Sequence, residues 1–157
     1  MSDSQIPRPN FLHGFLGWIV TLLVPVVVAL TALRALLFPW LIPFEYNTPG
    51  FPPDPYGFTK EERIKWAGIS LEYFVNSKLD VSFIEELRFA DGTPVYNERE
   101  IPHFLDAKAV LNAALRVWYV SIGLLVLLYL WAILGKWRQI FRHALGRGGW
   151  LTLFLIA

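Results

Sequence analysis

The sequence predicts a mainly α-helical membrane protein, with at least two transmembrane helices and a small α+β extracytoplasmic domain between them. Three observations predict it. Two runs of 19 residues, Phe15–Leu33 and Val117–Gly135, carry no charged side chain. The 157-residue chain is 55% hydrophobic and only 17% charged, with a mean hydropathy of +0.43, where a soluble domain carries about a quarter charged residues. The acidic residues are gathered between the two runs. A net charge of +1 supplies no field that would draw a polyanion, so no nucleic-acid partner is expected. Cysteine is absent, which excludes disulfides, thiolate metal sites and cysteine nucleophiles.

Residues 1–14 form a short N-terminal segment. The first span is expected over 15–37. A helix needs about 20 apolar residues to cross a hydrocarbon core of roughly 30 Å, and neither run shows the polar stripe of a helix buried in a soluble core. Pro25 lies within this span and is expected to bend it. With one basic residue before the apolar run and no small-residue cleavage site, the segment reads as an uncleaved anchor. Arg34, near its outer end, reads as a side chain snorkelling to the interface. Trp18, Trp40, Trp118, Trp131 and Trp137 fall near the predicted membrane edges, where aromatic belts sit.

Residues 38–58 hold six prolines between Pro39 and Pro55 and are expected to form a stiff, extended connector. Thr59 followed by Glu62 is a capping box. Apolar residues at Ile64, Ala67, Leu71, Phe74 and Val75 then stripe a helix of about 16 residues. A short helix or turn follows from Asp80. Asp91-Gly92, between two β-prone runs, signals a hairpin. Asn97 and Glu100 cap a further helix, with Pro102 in its first turn. No breaker then intervenes before the second span, 117–135.

The second span is followed by Lys136, Arg138, Arg142 and Arg147 without an acid. From Glu45 to Arg116 there are 8 basic and 12 acidic residues, a net of −4. Lys/Arg-rich flanks stay cytoplasmic. The N-terminus and a basic loop over 136–149 are therefore expected inside a bacterial plasma membrane, and residues 45–116 outside. Residues 150–157 read either as the start of a third span or as a brief interfacial tail.

The order of motifs YGFTKEERIKWAGISLEYFV and LRFADGTPVYNEREIPHFLDAKAVLNAAL resembles a family of bacterial integral membrane proteins, mostly of unknown function, that includes lipoprotein intramolecular transacylases. The resemblance covers roughly Tyr56 to Tyr119. It implies a membrane bundle of four helices capped by an extracytoplasmic domain, and acyl transfer onto an amine served by outer histidines. On these residues His103 matches the family histidine, and Asp106 and Lys108 match the acidic and basic positions after it. His103 would act as general base, with Asp106 or Glu100 orienting its ring. The sequence departs from the family in having two full spans and a single outer histidine.

The plainer reading makes His103 a structural residue, Asp106 and Lys108 a solvated pair, and Asn97, Arg99 and Glu100 a turn-and-cap network. His143 reads either as a pigment or metal ligand or, beside Arg142 and Arg147, as a headgroup contact. No phosphate loop, Gly-x-Ser-x-Gly or His-Glu-x-x-His motif is present, and no metal site or cofactor is expected. Bound lipid, quinone or pigment is left open by the many aromatic residues. The favoured function is a non-catalytic accessory subunit of a larger membrane complex, for which a respiratory or photosynthetic assembly would be a suitable host. Its partners would be membrane lipids and other membrane subunits. The competing function is acyl transfer using His103.

Overall fold

The computed structural model describes residues 11–157; the predicted N-terminal segment up to residue 10 lies outside the described residues. Six helices follow one another: α1 Phe11–Leu36, α2 Leu41–Tyr46, α3 Lys60–Val75, α4 Ser82–Glu85, α5 Glu100–Leu134 and α6 Arg138–Ile156. The chain divides into two compact units. One holds the described residues up to Ala32 with Arg116–Ala157; the other is Leu33–Leu115. Two helices, α1 and α5, are long and apolar enough to cross a membrane.

In the first unit α1, the second half of α5 and α6 share a core of Leu16, Val20, Leu128, Ala132, Trp137, Phe141 and Ala144. Trp118 Nε1 donates to Thr31 Oγ1 at 3.0 Å at one end of α1, and Leu128 and Ala132 join Leu16 and Val20 nearer the other. The two long helices therefore run antiparallel. Contacts between α1 and α6 rise together along both chains: His13 stacks on Trp137 at 5.6 Å, Thr21 Oγ1 donates to the Ala144 carbonyl at 3.3 Å, and Gly148 abuts Thr21 and Val24. Helix α6 thus runs parallel to α1.

The predicted basic loop over 136–149 and the separate segment from Trp150 are replaced by this single helix. Only Gly135 to Trp137 connect it to α5. The Gly148-Gly149 pair does not end α6 because Gly148 is its point of closest approach to α1. A Cβ at 148 would stand 2.6 Å from Val24 Cβ and 2.9 Å from the Thr21 carbonyl oxygen. That carbonyl is the one Pro25 leaves without its helical donor. Helix α1 runs through Pro25 from Phe11 to Leu36, and the freed carbonyl faces the bare Cα of Gly148, as close helix pairs with small residues allow.

The turn from α5 into α6 is a Schellman motif. Trp137 N donates to the Ala132 carbonyl at 3.0 Å and Lys136 N to the Ile133 carbonyl at 3.4 Å. The left-handed position is filled by Lys136, with φ of 58°, and not by the preceding Gly135. Glycine is needed one residue earlier, because a Cβ at 135 would meet the Trp137 ring at 2.9 Å and the Trp131 carbonyl at 3.0 Å. Trp137, expected in an exposed aromatic belt, is only 3% exposed; Trp18, Trp40 and Trp131 do remain exposed.

In the second unit the residues expected to form an extended connector contain α2. Pro43 stands in the first turn of α2, where its missing donor has no helical partner to lose. The capping box that starts α3 is complete, with Glu62 N donating to Thr59 Oγ1 at 3.2 Å and Thr59 N to Glu62 Oε2 at 2.8 Å. The predicted α+β character is not found: the described residues contain no strand, and the hairpin reduces to one antiparallel bridge between Arg88 and Pro94. Gly92 takes the left-handed turn position at φ 83°, and Phe89 N and Val95 N donate across the turn to the Thr93 and Leu87 carbonyls, but Leu87 N turns back to the Ile84 carbonyl at the end of α4, so the ladder stops. Tyr73 and Ile84 are fully buried. Phe104 binds the aromatic side of this unit together, parallel to Phe74 at 5.4 Å and against Tyr96 at 4.5 Å.

Candidate functional site

Glu100, His103 and Asp106 all lie on the first two turns of α5. Glu100 belongs to the cap: its Oε2 accepts from Asn97 N at 2.8 Å, and Asn97 Oδ1 accepts from the backbone N–H groups of Arg99 and Glu100. This is the turn-and-cap network expected from the sequence. The carboxylate is thereby held toward the turn. His103 and Asp106 are both exposed. Among the described residues no hydrogen bond joins the His103 imidazole to either carboxylate. Spacing by three residues places His103 and Asp106 on one side of the helix without pairing them.

Lys108 is not half of a solvated pair with Asp106. It is part-buried, and its Nζ donates to the carbonyls of Asn76 at 2.9 Å and Leu79 at 2.6 Å, while lying 4.0 Å from the centre of the Tyr73 ring. Asn76 is the C-cap of α3 and Leu79 lies in the turn beyond it, so the ammonium stands just past the helix end, where it opposes the negative end of the dipole. Lys108 therefore pins the end of α3 to α5. Nothing in the local pattern announces this, since the acceptors lie some thirty residues upstream.

The same unit contains a cavity of about 390 Å³ whose lining includes Tyr46, Arg63, Trp66, Ser70, Tyr96 and Glu100. Glu100 is the predicted site residue that reaches it; His103 and Asp106 do not line it. Ser70 and Tyr96 hydroxyls are 2.6 Å apart. Burial raises the Tyr96 phenol above its ordinary value, with the Ser70 hydrogen bond acting against it and the charge of Glu100 adding to the rise. Tyr96 stays a neutral hydroxyl at physiological pH. Burial also raises Tyr73, helped by Asp80.

Arg63 was not singled out by the sequence, yet it organises the cavity wall. Its guanidinium lies 4.9 Å from the Tyr46 ring centre and 4.8 Å from that of Phe51. It donates to the Pro52 carbonyl at 3.0 Å and faces Asp54 at 3.7 Å. Arg63 ties the proline-rich segment to α3. No group of three or more His, Asp or Glu able to hold a metal occurs among the described residues.

The chain matches no known protein family and no solved structure. An uncharacterized protein from Aquifex aeolicus (strain VF5) is 34% identical over 71 residues. That stretch is 45% of this chain and 32% of the relative, so the chain covers about a third of that protein's length.

In the first unit the predicted ligand candidate His143 is exposed on α6. With Gln139 and Arg142 it lines a concavity of about 430 Å³. Arg147 stacks over the Trp18 ring at 5.0 Å.

Proposed function

We propose that the protein is an integral membrane protein serving as a non-catalytic accessory subunit, whose two long helices pack in lipid and against the helices of a larger assembly. The observation that carries this reading is the outward apolar surface of α1 and α5. Only 22% and 17% of their most apolar stretches are buried, and Leu22, Val120 and Leu127 are all more than half exposed. A soluble chain exposing such a surface would aggregate. The charge distribution supports a topology with the basic end of α6 on the cytoplasmic side of a bacterial plasma membrane and the acidic residues 45–116 outside. Extraction in a mild detergent tests the assignment. Stable copurification with other membrane subunits is expected, whereas a lone monodisperse species under gentle conditions counts against it. Protease added to right-side-out vesicles should cut within 45–116 and spare α6.

The acyl-transfer reading draws on one observation: the His103 imidazole is exposed and makes no hydrogen bond among the described residues, so a substrate can reach it. Its test is His103→Ala followed by mass spectrometry of a lipoprotein N-terminal peptide. Activity in the parent that disappears in the variant would favour this reading over the first.

A further inference from the structure

The outward side of α6 carries two concavities in sequence. Gln139, Arg142, Gly146, Gly149 and Leu153 recur at alternating steps of three and four, which places them on one helix face. The first concavity, about 430 Å³, is lined by Gln139, Arg142 and His143. The second, about 400 Å³, is lined on α6 by Gly146, Gly149, Trp150, Thr152 and Leu153 and on α1 by Val28; the Thr152 hydroxyl is satisfied by the Gly148 carbonyl at 2.8 Å. A cationic pocket is thus followed, along one stripe, by an apolar groove open at two glycines with nothing within 4 Å of either. From Arg142 to Leu153 the helix rises roughly 16 Å, comparable to a fatty acyl chain.

The charges are unanswered among the described residues. No Asp or Glu follows Asp106 in the sequence, and among the described residues Lys136, Arg138 and Arg142 make no ion pair. Three of these cations stand at or near the start of α6, where the helix dipole opposes them. Arg147 reaches the same level. Its neighbour Gly148 is packed on Thr21 and Val24, but its own guanidinium lies by Gly17 and over Trp18. That is about one helical turn back toward the N-terminal end of α1, as a snorkelling arginine would go.

We infer that this face of α6 binds an acidic phospholipid, with its phosphate held by Arg142, His143 and Gln139 and one acyl chain laid along Gly146, Gly149 and Leu153 against Val28. The order of charge and greasy groove matches the order of headgroup and chain, and the cations supply the charge complement that a zwitterionic lipid only half uses. The inference rests on the membrane reading above.

The test uses the full chain in a non-ionic detergent, with bound lipid counted by native mass spectrometry. Phosphatidylglycerol should bind at least tenfold more tightly than phosphatidylcholine, and that preference should shrink as salt is raised. Arg142→Gln combined with His143→Gln should abolish the preference, while Lys60→Gln, in the other unit, leaves it intact. Gly149→Leu fills the groove and should weaken long-chain phosphatidylglycerol while sparing its dihexanoyl form. Equal affinity for the two lipids, a preference that survives the double variant, or displacement of phosphatidylglycerol by inorganic phosphate at equal concentration would each overturn the inference. If the double variant fails to fold, a salt-insensitive preference in the parent does the same. Incorporation into vesicles of either lipid without preference defeats this inference alone; a chain that enters neither defeats the membrane reading with it.

Discussion

Replacing Gly148 by alanine should separate α6 from α1. The added Cβ would lie 2.6 Å from Val24 Cβ, 2.8 Å from Val24 Cγ2 and 2.9 Å from the Thr21 carbonyl oxygen. Ordinary contact begins near 3.4 Å, so the helices must part by close to an ångström. Neither obstacle can yield. Val24 is β-branched and stiff at χ1, and the carbonyl belongs to the backbone of α1. Overpacking of this kind costs about 3 kcal/mol at the upper end of its usual range. Alanine returns about 1 kcal/mol of helix propensity over glycine. The net expectation is a loss of about 2 kcal/mol. Gly149→Ala receives the same propensity gain with nothing within 4 Å to oppose it, so it should be neutral or slightly stabilising. Unfolding by sodium dodecyl sulfate, followed by far-UV circular dichroism in mixed micelles, reads both. If Gly148→Ala proves as stable as Gly149→Ala, the two helices do not meet at this glycine and the account of α6 fails.

Three further outcomes can be stated. Lys136→Gly relieves a lysine held at φ 58° and should raise stability by about 1 kcal/mol; a lower melting temperature would argue against the Schellman turn. Lys108→Met leaves the Asn76 and Leu79 carbonyls without their ammonium donor and should cost about 2 kcal/mol, seen first as faster amide exchange at the end of α3; unchanged exchange there would dismiss the clamp. The Glu62 carboxyl is held below its ordinary value of 4.5, chiefly by the Thr59 backbone N–H and then by the Thr59 hydroxyl. Its contribution to α3 is therefore complete above pH 4.5 and is lost as pH falls through the lowered value. Thr59→Ala should weaken the helix at neutral pH and remove only the hydroxyl's share of this acid-side dependence, since the backbone N–H remains; a variant as stable as the parent at neutral pH would contradict the capping box.

What the sequence revealed was local. Thr59 with Glu62, Asn97 with Glu100, and Asp91-Gly92 each carry their chemistry within four residues, and each turn or cap forms where expected. The long apolar runs declared α1 and α5 for the same reason: length and the absence of charge need no knowledge of neighbours. What stayed hidden depends on partners distant in the chain. Residues 136–149 read as a basic loop until α1 is placed beside Gly148. Lys108 reads as a surface charge until the end of α3 arrives. The hairpin failed as a sheet element because the Leu87 N–H that would extend the ladder is taken by the Ile84 carbonyl at the end of α4, a competition that the Asp-Gly signal does not reveal. The candidate site was legible as residues and not as a constellation. Glu100 was already committed to its cap, and helical spacing alone did not bring Asp106 to His103.

Trp137 gives the molecule an internal reporter. Its ring is enclosed by His13, Trp131 and Phe141, and its buried indole nitrogen finds no acceptor among the described residues. An indole proton so isolated should exchange slowly with solvent and resonate apart from those of the exposed tryptophans, and the ring should emit at the blue edge of the spectrum. Loosening of the three-helix bundle can thus be followed at one natural chromophore, with no label attached.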